Sequence, residues 1–283
     1  MGAIEEFVGR GTQVSLEVRR FGRGGREMVG LLVKPAAAAD PRPAFLLCRP
    51  IGQEATRAAS MYRVIAERLA RHGTPVLVFD YHGTGDSPGE EGEQSFDGWI
   101  ADIEAAHELL CSEAAGGPVH WFAMSLAANL ALRAAARVPA PPAHLLLWEP
   151  AFDGPGYLAA LLDAHRRELA EEYHLPWTRL LRQGRVVEPA LPGDVLGFHY
   201  GEALTRDLQE WRKLPLAAAL RRGTGISCGL HAEDEPRLRE LGGGSAVTVR
   251  PLAERTQWML SQAMGTALVP PEVLPALNGT YQS

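Results

Sequence analysis

The sequence predicts an α/β fold in which a mostly parallel sheet of eight strands carries helices on both faces. Strand and helix patterns alternate along most of the 283 residues, and several of the strand segments are continuously apolar. Such apolar runs are typical of parallel strands that are covered on both faces. The alternation breaks between residues 151 and 222, where helical patterns follow one another. This break predicts a helical lid or cap inserted into a single domain of residues 1–283.

The amino-terminal half supplies most of the predicted strands. The stretches "TQVSLEVRRF" and "MVGLLVKP" flank the turn "GRGG" and predict an antiparallel pair. The apolar run "PAFLLCRP" predicts a buried strand, and a helix is expected over 56–71. The stretch "PVLVFDYHG" predicts the next strand. The helix "SFDGWIADIEAAHELL" follows it, with Ser95 as its N-cap.

The remaining elements frame the predicted insertion. A strand "VHWFAM", a helix over 125–137 and a strand "HLLLWEP" precede it. Helical patterns inside it surround "YLAALLDAHRRELAEEY", "WTRLLRQ" and "ALTRDLQEWRKL", with no convincing strand between them. After it come a strand "GISCGL", a helix "EPRLREL", a strand "AVTVRPL" and a helix "TQWMLSQAM".

Composition narrows the partners and the cellular setting. The chain has 34 acidic and 28 basic residues, and its basic pairs are scattered, which argues against nucleic acid as a partner. The three cysteines show no C-x-x-C spacing, so neither a metal site nor a cofactor is predicted, and free thiols favour a reducing compartment. The acidic start lacks a signal-peptide core and no apolar run reaches 18 residues. We therefore predict a cytoplasmic protein without a membrane span.

The stretch "FAMSLAANL" is the strongest chemical signal. Ser125 stands between a strand and a helix, with the small residues Ala123 and Ala127 two positions away on each side. A tight strand–turn–helix needs small residues at these places, and it raises a nucleophilic serine above the sheet edge. The turn also puts the serine at a helix N-terminus, where free N–H groups stabilise an oxyanion. The alternative is a serine that only caps the helix.

These motifs resemble the α/β-hydrolase superfamily. The strand plan, the serine turn and "FDYHGTGDS" after the fourth strand carry the general resemblance. The segment "CRPIGQEATRAASMYRVIAERLARHGTPVLVFDYHGTGDSPG" is similar to the serine-aminopeptidase-like hydrolases found with exosortase systems and in biosynthetic gene clusters. The resemblance implies the α/β-hydrolase fold. It also implies acyl transfer on esters, thioesters or amides without a cofactor.

The resemblance also implies roles for individual residues. Ser125 would be the nucleophile, and the backbone N–H groups of Ile51 and Leu126 would form the oxyanion hole. The loop that carries Ile51 also contains Gly52, which permits close approach of a substrate, and Gln53. Arg49 and Glu54 flank this loop. They are expected either to anchor a charged substrate group or to pair with each other.

The acid of a catalytic triad is expected in "GLHAEDEP". The position count favours Glu235, whereas the residue type favours Asp234. The histidine that should follow the eighth strand is missing, because no histidine lies beyond His231. Without that base a serine hydroxyl is a poor nucleophile. The substitutes left open are His231, Glu254, a group of the substrate, and the histidines of the insertion, His165, His174 and His199.

Three hypotheses about function follow. The first is an esterase, thioesterase or acyltransferase that acts through Ser125 on a small acyl, ester or thioester substrate. The second is a hydrolase-fold protein that binds an acyl or polyketide-like ligand, or promotes a non-hydrolytic cyclisation or elimination, because its triad is incomplete. The third is a purely structural or partner-binding role that uses the insertion as a contact surface. A carrier protein or a second copy of the chain is the protein contact left open.

Overall fold

The strands form one large mixed sheet and one small hairpin. The structure is a computed structural model and describes residues 14–35, 42–243, 246–253, 255–260 and 269–278. Eight strands pair in the order β1-β2-β4-β3-β5-β6-β9-β10, and β7 pairs with β8. Their bounds are β1 Val14–Arg23, β2 Arg26–Pro35, β3 Ala44–Cys48, β4 Val76–Phe79, β5 Val119–Met124, β6 His144–Trp148, β7 Gly193–Val195, β8 Phe198–Tyr200, β9 Gly225–Leu230 and β10 Val247–Pro251.

The first six helices, α1 to α6, follow the chain order that the sequence predicts. Their bounds are α1 Gln53–Arg71, α2 Phe96–Glu113, α3 Leu126–Arg137, α4 Gly154–Glu172, α5 Trp177–Arg182, α6 Glu202–Glu210, α7 Leu216–Arg221, α8 Glu235–Leu238 and α9 Val273–Asn278. Ser95 caps α2 as predicted, since its side chain accepts from the Gly98 N–H at 3.2 Å. Within the described residues, no helix is both long and apolar enough to cross a membrane.

The predicted mostly parallel sheet is confirmed. Strand β2 runs antiparallel to β1 and to β4, whereas the pairs from β4 through β3, β5, β6 and β9 to β10 are parallel. Successive residues of a strand point to opposite faces, and both faces are apolar here. In β5, for example, Trp121 packs in one core cluster with residues of α2 and α3, and Phe122 packs in the other with residues of α1 and α9.

The segments before β9 and after β10 differ from the predictions. The segment between β6 and β9 contains the β7–β8 hairpin beside the helices α4 to α7, although only helices were expected there. Its strands have three residues each, too few for a period-2 pattern to be read. Residues 256–260 of the predicted last helix form a loop with a turn at residues 258–259. The rest of that prediction, residues 261–264, lies outside the described part of the chain.

Candidate active site

Ser125 occupies a strained turn between β5 and α3. Its backbone angles are φ 51° and ψ −128°, a region that costs a non-glycine residue roughly 1–3 kcal/mol. The turn is fixed by neighbouring strand ends: the Ser125 N–H donates to the Trp148 carbonyl at 3.1 Å, and its carbonyl accepts from the Ala151 N–H at 3.2 Å. The side chain makes no capping hydrogen bond to α3. The geometry is therefore that of the predicted serine turn and differs from that of a capping serine.

The hydroxyl of Ser125 is held by a carboxyl group. Its Oγ donates to Glu54 Oε2 at 2.8 Å, and the two residues are only 7% and 5% exposed. Glu54 lies in the first turn of α1, directly after β3, and β3 is the neighbour of β5 in the sheet. The residues that follow the carboxyl ends of adjacent parallel strands meet at one sheet edge. The strand order thus places Glu54 beside Ser125, although the two residues are 71 positions apart in the sequence.

The Glu54 carboxyl group has an altered acidity. The pKa is raised from 4.5 to about 7, mainly by burial and to a smaller extent by the nearby Glu149 carboxyl. The hydrogen bonds from Ser125 and Tyr157 act in the opposite direction. The Tyr157 hydroxyl, from α4, donates to Glu54 Oε2 at 3.4 Å and also hydrogen-bonds Tyr200. A carboxyl group of this kind exchanges its proton near neutral pH.

The loop between β3 and α1 holds the other predicted groups of this edge. Gly52 has a φ of 59°, and a Cβ atom there would lie 2.9 Å from the Tyr200 hydroxyl. Glycine is therefore required both by the backbone angle and by the close tyrosine. Ile51 precedes it and is buried. The Gln53 amide faces the Arg57 guanidinium, whose Nη2 lies 2.6 Å from the amide oxygen in the orientation that satisfies both groups.

Arg49 does not pair with Glu54, which corrects one of the two expected arrangements. Its guanidinium pairs with Asp80 after β4 and donates to the Ala55 carbonyl at 3.2 Å. Glu54 instead contacts Ser125 and Tyr157. Arg49 and Glu54, which flank the loop, therefore contact different residues and not each other.

His231 contacts a second carboxylate near the pocket, the partly buried Glu149. Its Nε2 lies 2.8 Å from Glu149 Oε1, and Trp258 Nε1 donates to Glu149 Oε2 at 3.0 Å. Glu149 follows β6 and has a φ of 42°, a left-handed angle that is unfavourable for this residue type. Both carboxylate oxygens of Glu149 thus have a hydrogen-bond partner, and in the described hydrogen bonds the His231 ring contacts Glu149 and not Ser125.

The predicted acid residues have arginine partners. Asp234 pairs with Arg255 at 2.5 Å, and Glu233 pairs with the same guanidinium at 2.9 Å. Glu235 pairs with Arg239 at 2.6 Å, one turn along the same segment. A triad would place a histidine against the acid, but a guanidinium cannot accept a proton from serine. Among the described ion pairs, the Asp234 carboxylate is therefore paired with a guanidinium and not with an imidazole.

A substitution at Asp234 tests whether this corner affects the serine. We expect Asp234→Asn to change the rate at which a serine-directed fluorophosphonate modifies Ser125 by less than about tenfold. In a working triad, loss of the acid costs about 10⁴ in turnover. The rate is measured by intact-mass spectrometry against wild-type protein. A labelling rate that falls by about a thousandfold or more would show that Asp234 acts as the acid of a triad.

The other proposed bases lie away from the serine or outside the described residues. His165 accepts from the Leu196 N–H at 3.0 Å, and His199 pairs with Asp194 at 2.8 Å on the surface. His174 is exposed at the end of α4. Glu254 lies outside the part of the chain that the structure describes.

A pocket of about 370 Å³ opens onto Ser125. Its volume is within the usual range for a small-molecule site. Residues from α4 form one wall, and residues 255–260 form another. Its apolar lining includes Met124, Ala151, Phe152, Tyr157, Ala160, Ala164, Trp258, Met259 and Leu260, and its charged lining includes Glu54, Glu149, Asp153, Asp163, Arg167, Asp234, Arg237 and Arg255. Among the described residues, no cluster of three or more histidine, cysteine or acidic side chains could hold a metal ion.

Comparison by sequence points to one family. The family model described as serine aminopeptidase, S33, matches residues 55–189. Two uncharacterized proteins of Mycobacterium tuberculosis are 37% identical over 118 residues, which is 41% of this chain and 39% of each relative. The match therefore spans about two fifths of the curated relatives' length.

Comparison by structure extends over nearly the whole chain. A proline iminopeptidase of Mycobacterium smegmatis has a TM-score of 0.60 and 15% identity, and the match covers 94% of this chain and 98% of that one. The Pyrococcus furiosus esterase Pf2001 has a TM-score of 0.57 and 12% identity, with 94% and 89% covered. A thioesterase domain from the curacin biosynthetic pathway has a TM-score of 0.52 and 16% identity, with 92% and 99% covered. At such identities these likenesses concern the fold.

Proposed function

We propose that the chain is a member of the α/β-hydrolase superfamily and an acyl-transfer enzyme that uses Ser125 as its nucleophile. The observation that carries this proposal is the strained Ser125 turn, whose hydroxyl is hydrogen-bonded to a buried carboxyl group in a pocket of about 370 Å³. A serine that only supports the fold does not need a strained backbone beside an open pocket.

The proposed substrate is a small ester or thioester. The Ser125 Oγ would attack the acyl carbonyl carbon, and the carbonyl oxygen would become an oxyanion. Leu126 is the first residue of α3, so its N–H has no acceptor within the helix and can stabilise the oxyanion together with the Ile51 N–H. Collapse of the oxyanion would release the alcohol or thiol and leave an acyl-enzyme. Water or a second alcohol would then take the acyl group.

The pocket lining supports a largely apolar acyl group. Phe152, Trp258, Met259 and Leu260 line it beside the charged groups, and Tyr157 contributes from α4. The ion pairs Asp153–Arg237 and Asp234–Arg255 remove charge from its surface. The segment 151–222, which provides α4, is proposed as a lid over this pocket.

Labelling with a fluorophosphonate tests the proposal. We expect wild-type protein to gain one probe per chain by intact mass, and Ser125→Ala to gain none and to lose turnover of p-nitrophenyl esters and acyl thioesters by about 10⁶. Ser112→Ala, which changes an exposed serine of α2, is the matched control and should label like wild type.

A folded wild-type protein that takes no label would contradict the proposal. The missing histidine after β10 would then favour the second hypothesis, a hydrolase-fold protein that binds an acyl or polyketide-like ligand without hydrolysing it. Such a protein should retain a ligand through purification, which native mass spectrometry would detect.

A further inference from the structure

We infer that Glu54 is the catalytic base of this site, so that Ser125 and Glu54 form a serine–carboxylate dyad in place of a triad. This inference rests on the proposed function. It concerns a residue that was expected only to bind substrate or to stiffen the loop. The reacting atom and the base are already in contact, because Ser125 Oγ donates to Glu54 Oε2 at 2.8 Å.

The partners of the other carboxyl groups in the pocket single out Glu54. Glu149 accepts from His231 and Trp258 with its two oxygens. Asp234 and Asp153 are paired with Arg255 and Arg237. Asp163 lies 4.0 Å from Arg167. Glu54, by contrast, is in contact with two hydroxyl groups, those of Ser125 and Tyr157, and with no cation in the described ion pairs.

The surroundings of Glu54 suit a group that takes and returns a proton. The titratable groups that face it are Glu149 after β6, Tyr157 on α4, Tyr200 on β8 and Tyr62 on α1 itself. Burial raises the pKa of the carboxyl group to about 7. A base with a pKa near the working pH is both ionised enough to accept a proton and acidic enough to return it.

The proton transfer balances over the full reaction. As the bond from Ser125 Oγ to the acyl carbon forms, the hydroxyl proton moves to Glu54 Oε2 and the carbonyl electron pair becomes the oxyanion. When the bond to the leaving group breaks, Glu54 returns that proton to the departing oxygen or sulfur. In the second half, a water molecule gives its proton to Glu54, attacks the acyl carbon, and Ser125 Oγ recovers the proton.

The charge in the pocket also favours this arrangement. Glu54 becomes neutral at the moment when the oxyanion appears, so the two negative charges never coexist. A neutral carboxylic acid held in an apolar site is itself a hydrogen-bond donor to developing negative charge. Ile51 lies in the loop between β3 and α1, and Glu54 lies three residues further on, in the first turn of α1, so one short segment would position both the N–H and the base.

The experiment measures the labelling rate of Ser125 by a fluorophosphonate between pH 5 and pH 9. For wild type we expect the rate to rise about tenfold per pH unit below pH 7 and to level off above it, since the ionised carboxylate is the reactive form. Glu54→Gln should lower the plateau by roughly 10²–10⁴. Glu67→Gln, on the same helix, is the matched control and should follow wild type. His231→Gln should stay within about tenfold of wild type.

A second readout does not depend on the labelling rate. Infrared difference spectra of wild-type protein should show a protonated carboxyl band that disappears as the pH rises through about 7, and Glu54→Gln should lack it. The apparent pKa of labelling should change little with temperature, as carboxyl ionisation does, whereas an imidazole base would lower it on warming.

The outcomes separate this inference from the proposed function. Equal labelling of wild type and Glu54→Gln would overturn the dyad and leave Ser125 as a nucleophile with another base. Loss of labelling in His231→Gln with retention in Glu54→Gln would assign the base to His231. No labelling of wild type at any pH would instead overturn the proposed function.

Discussion

Glu54→Gln is expected to stabilise the folded protein at pH 8 by about 3 kcal/mol, while it removes the proposed base. The folded-state pKa of about 7 lies above the ordinary value of 4.5, so the folded state binds the Glu54 proton more tightly than the unfolded state. The resulting stability is complete below about pH 4.5 and is lost as the pH rises through 7. At about 1.4 kcal/mol per pKa unit, the loss amounts to about 3 kcal/mol. A neutral glutamine avoids this loss.

Urea unfolding at pH 4.5 and at pH 8 measures the effect. The free energies of unfolding of wild type and Glu54→Gln should differ by little at pH 4.5 and by about 3 kcal/mol at pH 8, or roughly 6 °C or more in melting temperature. Glu67→Gln should show no such dependence on pH. A difference between Glu54→Gln and wild type that is the same at both pH values would show that the Glu54 carboxyl ionises normally in the folded protein. A gain in stability that accompanies lost reactivity is expected of a residue kept for catalysis.

Gly154→Ala should have the largest structural effect, with a loss of about 3 kcal/mol or more in the free energy of unfolding. Gly154 begins α4, and an added Cβ would lie 1.6 Å from the Leu208 carbonyl oxygen of α6. Its N–H donates to the Trp211 carbonyl at 2.9 Å, so the backbone cannot retreat without losing a hydrogen bond. Because α4 carries Tyr157, we also expect a lower labelling rate of Ser125.

Gly156→Ala is the control for this substitution. It lies two residues further along the same helix, and its Cβ would be 3.1 Å from a side-chain oxygen of Asp153, whereas the Cβ at position 154 would overlap a backbone carbonyl. Thermal unfolding should place Gly156→Ala near wild type and Gly154→Ala well below it. Equal melting temperatures for the two variants would mean that the contact between α4 and α6 is loose.

The sheet, its flanking helices and the serine turn are the features that sequence patterns predict well. Continuous apolar runs such as that in β5 and the helical spacing in α1 are local signals, and neither needs knowledge of the partner element. The N-cap at Ser95 is equally local. The β7–β8 hairpin and the short helix α9 have too few residues to show a period, so packing against the rest of the chain decides them.

The role of Glu54 depends on information that a single sequence hides. Its contact with Ser125 requires that β3 and β5 be neighbours, and they are separated in the chain by β4 and two helices. The sequence feature that indicates this contact is the position of Glu54 in the first turn of the helix after the Gly52 loop. This helix turn and the Ser125 turn both follow the carboxyl ends of parallel strands, so they lie at the same edge of the sheet. The pairing of Asp234 and Glu235 with arginines likewise depends on the folded arrangement, which the sequence pattern does not show.

The position of Glu54 has a consequence for sequence divergence. With Glu54 as the base, the four groups that handle the reacting atoms, Ile51, Glu54, Ser125 and Leu126, come from a single segment, 51–126. In a triad enzyme, the segments after β9 and β10 supply the acid and the histidine. Here these segments would be constrained only by folding and by their part in the pocket wall. Selection would hold them less tightly, and they would drift faster than the amino-terminal half.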